Sequence, residues 1–506
     1  MIPQTYPTIE DSEGRKMVIS RLSSVTGLQP WVDYIPIKAG TAPLNSYNGA
    51  IGMTEISSLV GKQAWLDYIP VYEDNALTRE FSTDVGGYIP YIGGSGTATQ
   101  TTIASPHNYF WNARETTVTG FLTRRFRMPI YISGDRKNLR FAFSGNYIAG
   151  ALGNNYTIVS LALEQNSPSA FTPITFSGSR SVVVTNGTVE LLSDAVLPSA
   201  FSLSQFSGGS LYWLRGEYSV ASAGMFMPMG RSYVSSTGLT SPQCIGVAMQ
   251  ASSVVSAVDA TGNMTFSGVN DYRNPYLPIV VGDLVTPSSA QSIFGVGNSI
   301  MFGQGGNQEN GLTSLYQKAA MDVGLTSGVT GGLWFGVAGT TYTQILGKPW
   351  ITYYAKYATK VLDEYGTNYF ASGSTADPTA AKADAQAFWA QVAAAGCTKI
   401  IRTKLLPRTI TTDGTVVFNS SYGAGGSARQ FNDWMDTPSL GAAQGVTLQI
   451  EQQNSLRLGT NQASDDFYKW AGASSGVLGA NTTDGTHLTT AGNTLGAPDI
   501  RADYIS

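Results

Sequence analysis

The sequence predicts a multidomain chain: a small β module over residues 1–100, a jelly-roll-like β-sandwich over 106–285, and a three-layer α/β domain with a parallel sheet over 288–506. A chain of 506 residues is long enough for about two to four domains. Three observations predict this division. A segment is repeated near the N-terminus, short alternating runs fill the middle, and strand-like runs alternate with helix-like runs towards the C-terminus.

The N-terminal part contains the repeated segment. One copy, "GLQPWVDYIPIKAG", begins at Gly27, and the other, "GKQAWLDYIPVYED", begins at Gly61. Two copies are too few for a solenoid, which needs at least about three repeats to bury a core. Each copy predicts an apolar strand that cannot stabilise itself alone. The segment therefore either pairs with sister chains or another protein, or forms a small β-domain with a duplicated hairpin.

Matched aromatic residues in the repeat favour docking onto a partner. Trp31 and Trp65 occupy equivalent positions, as do Tyr34 and Tyr68. Tryptophan and tyrosine are enriched at protein interfaces, and a segment of this size has little apolar surface of its own. We therefore expect residues 1–100 to be an attachment or oligomerisation module, with a trimer as one form. The alternative is that both tryptophans pack on the sandwich of the same chain.

The middle of the chain has the pattern of a β-sandwich. Residues 93–105, "GGSGTATQTTIAS", predict a linker or a surface crossing. Alternating runs such as "LRFAFSG" and "YTIVSLAL" follow, separated by Gly, Ser, Asn and Pro clusters. Such a domain is a candidate for carbohydrate binding. Arg124, Arg125 and Arg127 in "TRRFRMP" either contact an anionic ligand or form a solvated strand face, which is the commoner arrangement.

After about residue 288 the pattern changes to strand, then helix, repeatedly. "SIFGVGNSI", "GLWFGVAG", "TKVLDEYGTNY", "TKIIRTKLL" and "GVTLQIEQ" predict strands, and "PTAAKADAQAFWAQVAAAG" predicts a helix that begins near Pro378 and ends at Gly396. Strands alternating with helices favour a parallel sheet that is covered on both faces. Sites in such folds lie at the carboxyl ends of the strands.

Composition excludes several classes of function. The net charge of −4 and the pI near 5.4 give no reason to expect a nucleic-acid partner. No run reaches the roughly 18 apolar residues of a membrane helix, and the N-terminus lacks the pattern of a signal peptide. Cys244 and Cys397 are interpreted as buried small hydrophobes, with no disulfide framework or metal site.

The stretch "TTDGTHLTTAG" over residues 482–492 is the first candidate for catalysis. It contains His487, and the only other histidine in the chain is His107. Ser299 ends the first predicted strand of the α/β part, where backbone donors surround it. A serine hydroxyl needs a base before it can attack, and His487 can be that base while Asp484 holds the imidazole. We expect His107 to be a surface or interface residue.

Four blocks resemble those of SGNH (GDSL-type) hydrolases and occur in the same order as in that family. They are "GNSI", the glycine of "VAGTT", "GTN" and "DGTHLTTAG". The resemblance implies Ser299 as nucleophile, Asp484 and His487 as the other triad members, and an oxyanion hole formed by the backbone amides of Ser299 and Gly339 and the side-chain amide of Asn368.

Two positions depart from the family pattern, and other interpretations of the site exist. Asn298 stands where the family usually has Asp before the nucleophile, and Tyr369 stands where it often has Asp. We expect Asn298 to alter the hydrogen bonding of the loop and to lower activity. Asn368 could be a turn residue, Ser299 a helix N-cap, and His487 a surface loop residue.

The function predicted from these features is a serine esterase. It would remove O-acyl groups, most simply O-acetyl, from a cell-surface polysaccharide, with neither metal nor organic cofactor. The arrangement of parts resembles that of phage tail spikes or fibres, so the expected location is the virion tail at the host cell surface, with a cytoplasmic or cell-associated bacterial protein as the alternative. Two other functions remain open: a non-catalytic or weakly catalytic glycan-binding receptor-binding protein, favoured by Asn298, and a bacterial lipase or esterase of the SGNH type.

Overall fold

The structure is a computed structural model. Beyond residue 99 it describes the chain except for 110–112, 117–121, 148–149, 167–169, 230–245, 251–254, 263, 265–268, 271–277, 287–290, 307–313, 323–324 and 326. Before residue 100 it describes the backbone of the five short strands given below.

The chain divides into two compact units, Met1–Ala98 and Thr99–Ser506. In the first unit, three strands form an antiparallel sheet and two form a hairpin. They are β1 (Thr8–Glu10), β2 (Lys16–Arg21), β3 (Tyr34–Lys38), β4 (Ile69–Glu73) and β5 (Ala76–Phe81). Trp31 and Trp65 lie outside the described residues, so the docking role of residues 1–100 stays a prediction.

The second unit begins with short strands. In chain order they are β6 (Thr101–Ile103), β7 (Asn108–Tyr109), β8 (Ala113–Thr116), β9 (Thr123–Tyr131), β10 (Arg140–Phe143), β11 (Asn146–Tyr147), β12 (Gly150–Ala151), β13 (Tyr156–Gln165), β14 (Ala170–Pro173), β15 (Val182–Val184), β16 (Leu191–Leu192), β17 (Leu211–Ser219), β18 (Phe226–Met229), β19 (Gly246–Gln250), β20 (Val269–Asn270) and β21 (Ile279–Asp283). One short helix, α1 (Val255–Val258), interrupts them.

Two antiparallel sheets face each other in this region. The first has the order β16–β10–β21–β6, and the second has the order β14–β13–β17–β9–β19–β20, with β15 beside β13. Phe143 of the first sheet meets Tyr218 of the second, their ring centroids 6.1 Å apart. Both rings are fully buried, as the inner faces of a two-layer packing require.

Two expectations for this region are wrong. The segment 93–105, expected to be a linker or a surface crossing, contains the largely buried strand β6, whose amides and carbonyls pair with β21. The arginines of β9 form no solvated face. Arg125 pairs with Glu217 at 2.5 Å and Arg127 with Glu164 at 3.0 Å, and all four side chains are buried.

The burial of these arginines has a structural reason. The inner face of β9 packs in the core, and the segment around α1 covers the outer face of the same sheet. Arg215 on the neighbouring strand donates to the carbonyls of Ala257 and Val258 at 2.8 and 3.1 Å. Buried guanidinium groups are tolerated when carboxylates and carbonyls satisfy them, so the arginines have a structural explanation that needs no anionic ligand.

The rest of the unit alternates strands and helices. In chain order these are β22 (Ser292–Gly297), α2 (Ser299–Phe302), α3 (Leu315–Met321), β23 (Gly331–Gly336), α4 (Pro349–Ala355), β24 (Lys360–Asp363), α5 (Thr379–Ala394), β25 (Lys399–Thr403), β26 (Thr409–Ile410), β27 (Asp413–Val417), α6 (Ser427–Met435), β28 (Thr447–Glu451) and α7 (Thr490–Ile505). The sheet order is β28–β25–β24–β22–β23–β7, and every pair is parallel. The predicted parallel α/β arrangement is confirmed.

Helices cover both faces of this sheet. In β22, Ile293 packs with residues of α3 and α7, whereas the next residue, Phe294, packs in the core that holds α4 and α5. Successive side chains of a strand point to opposite faces, so the strand is buried on both sides. This explains why the parallel strands appear in the sequence as continuous apolar runs.

The sandwich and the parallel sheet are joined through a short segment. β6 belongs to a sandwich sheet, and β7, five residues later, is the edge strand of the parallel sheet. Asn108 in β7 donates to Gly332 O at 3.1 Å and accepts the Val280 amide at 2.8 Å, so it binds both parts. Residues of both parts also share one apolar core.

Two expectations from the composition concern the cysteines and membrane-spanning helices. Cys397 is buried, as expected of a small apolar residue, while Cys244 lies outside the described residues. Among the helices in the described part of the chain, none has both the length and the apolar character to cross a membrane.

Candidate active site

The loops after the three central strands meet at one edge of the parallel sheet. β22 lies between β23 and β24. The chain therefore continues from β22 to β23 on one side of it and then returns to β24 on the other side. Such a reversal forms a crevice at the carboxyl ends of the strands, where α/β proteins bind ligands. Ser299 follows β22, Gly339 follows β23 and Asn368 follows β24, so all three lie at this edge.

Ser299, His487 and Asp484 form a hydrogen-bonded chain. Ser299 Oγ lies 2.9 Å from His487 Nε2, and His487 Nδ1 lies 2.7 Å from Asp484 Oδ2. A nucleophile, its base and the carboxylate that orients the base need contacts of this length. The fold thus brings a serine and a histidine 188 residues apart into direct contact.

The loop that carries His487 is shaped by Asp484 and Gly485. Asp484 Oδ1 accepts the amides of Thr486 and His487 at 2.9 and 2.8 Å, which fixes the carboxylate beneath the imidazole. Gly485 has φ = +80°, and a Cβ there would lie 2.4 Å from Thr409 O. Only glycine fits this close approach. The Gly485 carbonyl accepts the Thr409 amide at 2.9 Å, which fastens the loop to the segment after β25.

The Asp484 carboxylate stays ionised far into the acid range. Burial by itself raises the pKa, but hydrogen bonds from the His487 side chain and from the His487 and Thr486 amides outweigh it and lower the pKa to about 2. An ionised carboxylate can only accept, so His487 Nδ1 carries the proton. In the neutral imidazole, Nε2 is then the nitrogen that accepts the Ser299 hydroxyl proton. This orienting contact is lost only as the pH falls towards about 2.

Ser299, the candidate nucleophile, lies on a tight turn between β22 and α2. Asn298 is the N-cap of α2, because its side-chain oxygen accepts the Ile300 amide at 3.0 Å. Ser299 is the first residue of the helix, and its hydroxyl contacts His487 instead. The interpretation of Ser299 as an N-cap is therefore wrong, and the departure at Asn298 supplies the cap.

Two further loops approach this turn. The Val337 amide donates to Gly297 O at 3.3 Å and so joins the Gly339 loop to the end of β22. Gly339 has φ = +76°, and no other described atom lies within 4 Å of the position that its Cβ would occupy. Asn368 Nδ2 donates one hydrogen to Thr340 O at 2.8 Å. This bond ties the Asn368 turn to the Gly339 loop and leaves the second amide hydrogen for a ligand.

The three loops together provide donors for an oxyanion. Within the described ranges, the backbone amides of Ser299 and Gly339 have no acceptor. With the second hydrogen of Asn368 they make three donors on adjacent loops. A tetrahedral intermediate needs such donors for its negatively charged oxygen. Asn368 also belongs to the 3₁₀ turn Thr367–Phe370, so its place in a turn is compatible with its use as a donor.

Tyr369, the second departure from the family pattern, has a structural role. Its hydroxyl donates to Asp384 Oδ2 on α5 at 2.6 Å. Burial raises the pKa of Tyr369 well above its ordinary value, so the hydroxyl stays a donor. Tyr369 thus anchors the Asn368 turn to α5.

Replacing Asn368 with alanine is expected to lower kcat by about 10²- to 10³-fold with little change in KM, because an oxyanion donor acts mainly in the transition state. Steady-state kinetics with a chromogenic acetate checks this. Asn419→Ala is the matched control, since Asn419 also donates to this turn, at Phe370 O and Ala371 O, without carrying a predicted catalytic role. A change in KM alone would make Asn368 a substrate contact or a structural residue.

His107 lies directly before β7, the edge strand of the parallel sheet. It is buried rather than at the surface, and its ring stacks on Tyr131 with centroids 5.6 Å apart. The expectation of a surface position is wrong because the segment between β6 and β7 passes through the core.

One residue near the site was missed in the sequence. Glu364 is buried behind the nucleophile turn. The available signal was an acidic residue directly after a buried strand in "VLDEYG". Among the described residues, no group of three or more His, Cys, Asp or Glu side chains is placed to hold a metal ion.

The comparisons with known proteins find similarity in structure only. No protein-family model and no curated protein matches the sequence. A GDSL-like lipase from Bacteroides thetaiotaomicron matches with 14% identity and a TM-score of 0.27, over 42% of this chain and 85% of that one. A family two carbohydrate esterase from Cellvibrio japonicus matches with 13% identity and a TM-score of 0.26, over 81% and 99%. A peptidoglycan O-acetylesterase matches with 11% identity and a TM-score of 0.29, over 80% and 75%. At these values the function has to be argued from the geometry of the site itself.

Proposed function

We propose that the protein is a serine esterase that removes short O-acyl groups, most simply acetyl, from a polysaccharide. The observation that carries the proposal is the continuous chain from Ser299 Oγ to His487 Nε2 and from His487 Nδ1 to Asp484 Oδ2. Three further donors on the neighbouring loops supply what the intermediate of acyl transfer requires.

The first half of the reaction forms an acyl-enzyme. Ser299 Oγ attacks the ester carbonyl while His487 Nε2 takes its proton. The carbonyl oxygen becomes negatively charged and accepts hydrogen bonds from the Ser299 and Gly339 amides and from Asn368. Collapse of this intermediate breaks the bond to the alcohol oxygen, and the imidazolium of His487 donates its proton to the leaving sugar hydroxyl.

The second half releases the acid. Water enters, His487 Nε2 takes one of its protons, and the resulting hydroxide attacks the acyl carbonyl on Ser299. The intermediate again uses the oxyanion donors. It collapses to acetic acid, which ionises to acetate in solution, as the imidazolium of His487 returns its proton to Ser299 Oγ. Asp484 stabilises the imidazolium in both halves and remains ionised throughout.

The surroundings of the triad favour a small acyl group and a polar alcohol. In the described part of the chain, the exposed large apolar residues lie outside the loops of Ser299, Gly339, Asn368 and 484–487; they are Val183, Leu197, Val255, Val416, Leu458, Val477, Leu495 and Ile505. Exposed residues next to the site residues are instead small or polar, such as Ala338 beside Gly339 and Thr483 beside Asp484. A lipase needs an apolar surface for its acyl chain.

The acyl preference is tested with chromogenic esters of increasing chain length. We expect the highest kcat/KM for acetate, and release of acetate from an O-acetylated polysaccharide. A preference for octanoate over acetate would contradict the short-acyl proposal and favour a lipase. Binding of the polysaccharide without any ester hydrolysis would favour a receptor-binding protein.

We also propose that the esterase activity is carried by a phage tail spike or fibre. It is supported by the repeat in residues 1–100 and by a sandwich that precedes the α/β part. Light scattering on the full chain and on a chain starting at Thr99, the first residue of the second unit, is the test. We expect an oligomer only with residues 1–100 present, and two monomers of equal thermal stability would contradict the docking role.

A further inference from the structure

A buried carboxyl group lies beneath the nucleophile turn. Glu364 is the first residue after β24, and only 3% of its surface is exposed. Its Oε2 accepts the Asn298 amide at 2.9 Å, and the Met301 amide also donates to this carboxyl group. These two amides lie on either side of Ser299 in the sequence. One side chain from the neighbouring strand therefore holds both ends of the turn that presents the nucleophile.

Gly297 makes this contact possible. A Cβ at Gly297 would lie 2.3 Å from Glu364 Oε2 and 2.7 Å from Met301 Cβ. Any larger residue there would push the carboxyl group away from the turn. The glycine at the end of β22 is thus explained by the close approach of Glu364.

The remaining amides of the turn are satisfied within the turn. The Ile300 amide donates to Asn298 Oδ1 at 3.0 Å, and the Phe302 amide donates to Asn298 O at 3.0 Å. With Glu364 accepting two more, the Ser299 N–H is the one backbone donor of this turn that has no acceptor among the described residues. Amides that are fixed in this way cannot rotate towards the ligand, so the direction of the Ser299 N–H is set.

We propose that Glu364 is a positioning residue for the oxyanion hole. By accepting the Asn298 and Met301 amides, it fixes the turn so that the Ser299 N–H points at the oxyanion. The inference rests on the proposed esterase function. Because Glu364 acts through the turn and lies behind it, removing its carboxylate should lower turnover while substrate binding is maintained.

The ionisation of Glu364 gives a second readout. Burial raises its pKa to about 8, although the Asn298 and Met301 amides and Arg402 act in the opposite direction. A carboxylate accepts amide hydrogens more strongly than a carboxylic acid does. The turn is therefore held most firmly once the pH exceeds about 8, and kcat should rise through this range.

Other ionisable groups also face Glu364. They are Asp363 on β24, Arg402 on β25, Tyr316 on α3, and Tyr365 and Tyr422 in the adjoining loops. The ordinary pKa values of arginine and tyrosine already lie above pH 9, and those of Arg402 and the three tyrosines are raised further. These four groups therefore do not produce a rise in kcat near pH 8.

The test compares Glu364→Gln with the wild-type full chain. The kcat and KM for a chromogenic acetate are measured from pH 6 to pH 9, and active sites are counted by titration with a chromogenic organophosphate. Glu451→Gln is the matched control. Glu451 is also buried, is the last residue of β28 at the same edge of the sheet, and has a pKa raised to about 8. Its carboxylate accepts the Gln453 amide rather than an amide of the nucleophile turn.

For Glu364→Gln we expect kcat per titrated site to fall about tenfold, with KM within about twofold and without the alkaline step. Glu451→Gln should keep that step. Glu364→Asp keeps the charge but is one methylene shorter, and we expect an intermediate kcat that still rises at alkaline pH. If Glu364→Gln does not fold, Glu364→Asp replaces it as the test of the positioning role.

Two results would overturn the positioning role. One is a Glu364→Gln variant in which fewer active sites are titrated but kcat per titrated site is unchanged. Glu364 would then support folding only and would have no positioning role. The other is an alkaline step that persists in Glu364→Gln. A wild-type chain that neither hydrolyses the ester nor reacts with the organophosphate would instead overturn the proposed esterase function, so the two failures are distinguishable.

Discussion

Replacing Ser299 with alanine is expected to reduce kcat/KM for a chromogenic acetate by about 10⁵- to 10⁶-fold, because loss of a nucleophile removes the covalent route altogether. The fold should survive, since alanine removes only a hydroxyl group, whose contact is with His487 Nε2 at the carboxyl-end edge of the sheet. The oxyanion donors would remain and account for the residual rate. Purified protein, with folding checked by thermal unfolding, is assayed against the wild type.

Ser292→Ala is the matched control for this experiment. Ser292 lies on the same strand, β22, but at its amino end, where its hydroxyl donates to Tyr357 O at 2.9 Å. We expect it to lose some stability and to keep its activity. Substantial hydrolysis by a folded Ser299→Ala variant would rule out Ser299 as the nucleophile.

Replacing His487 with glutamine is expected to lower kcat/KM by a similar factor of about 10⁵ to 10⁶, because without the base the serine hydroxyl keeps its proton. Glutamine preserves much of the size and some of the hydrogen bonding of the imidazole. The loop should also persist, because the His487 amide and the Thr486 amide still donate to Asp484 Oδ1. The measurement is again steady-state kinetics on folded protein.

The chain itself offers the control, since it contains only two histidines. His107→Gln changes the histidine that is buried against Tyr131, whereas His487 is the histidine that contacts Ser299. It should affect stability more than turnover. If both variants lost activity to the same extent, or if His487→Gln retained it, His487 would not be the base.

Much of the α/β part could be predicted because its signals are local. The central strands β22 and β23 are buried along their whole length, so they appear as short apolar runs, and glycines mark their ends. His487 stood out because histidine is so rare in this chain, and its contact with Asp484 spans three residues. Order and spacing of the blocks then pointed to Ser299, Gly339 and Asn368, which the structure places on adjacent loops.

The features that were missed depend on contacts between distant residues. Arg125 and its partner Glu217 are 92 residues apart, and nothing in "TRRFRMP" shows that carboxylates from other strands will meet those arginines. β7 is only two residues long and joins the parallel sheet from the sandwich side. Glu364 lies 66 residues from the Asn298 amide that it accepts, so its role became visible only in three dimensions.

The central claim is that Ser299, activated by His487, is the acylated nucleophile. The most direct measurement is stoichiometric reaction of the wild-type chain with a chromogenic organophosphate, followed by peptide mass spectrometry and an esterase assay of the product. The account predicts one phosphoryl adduct per chain, located on Ser299, with loss of activity in proportion to labelling and no adduct in Ser299→Ala. An adduct on another residue, or full activity in a chain labelled at Ser299, would contradict it.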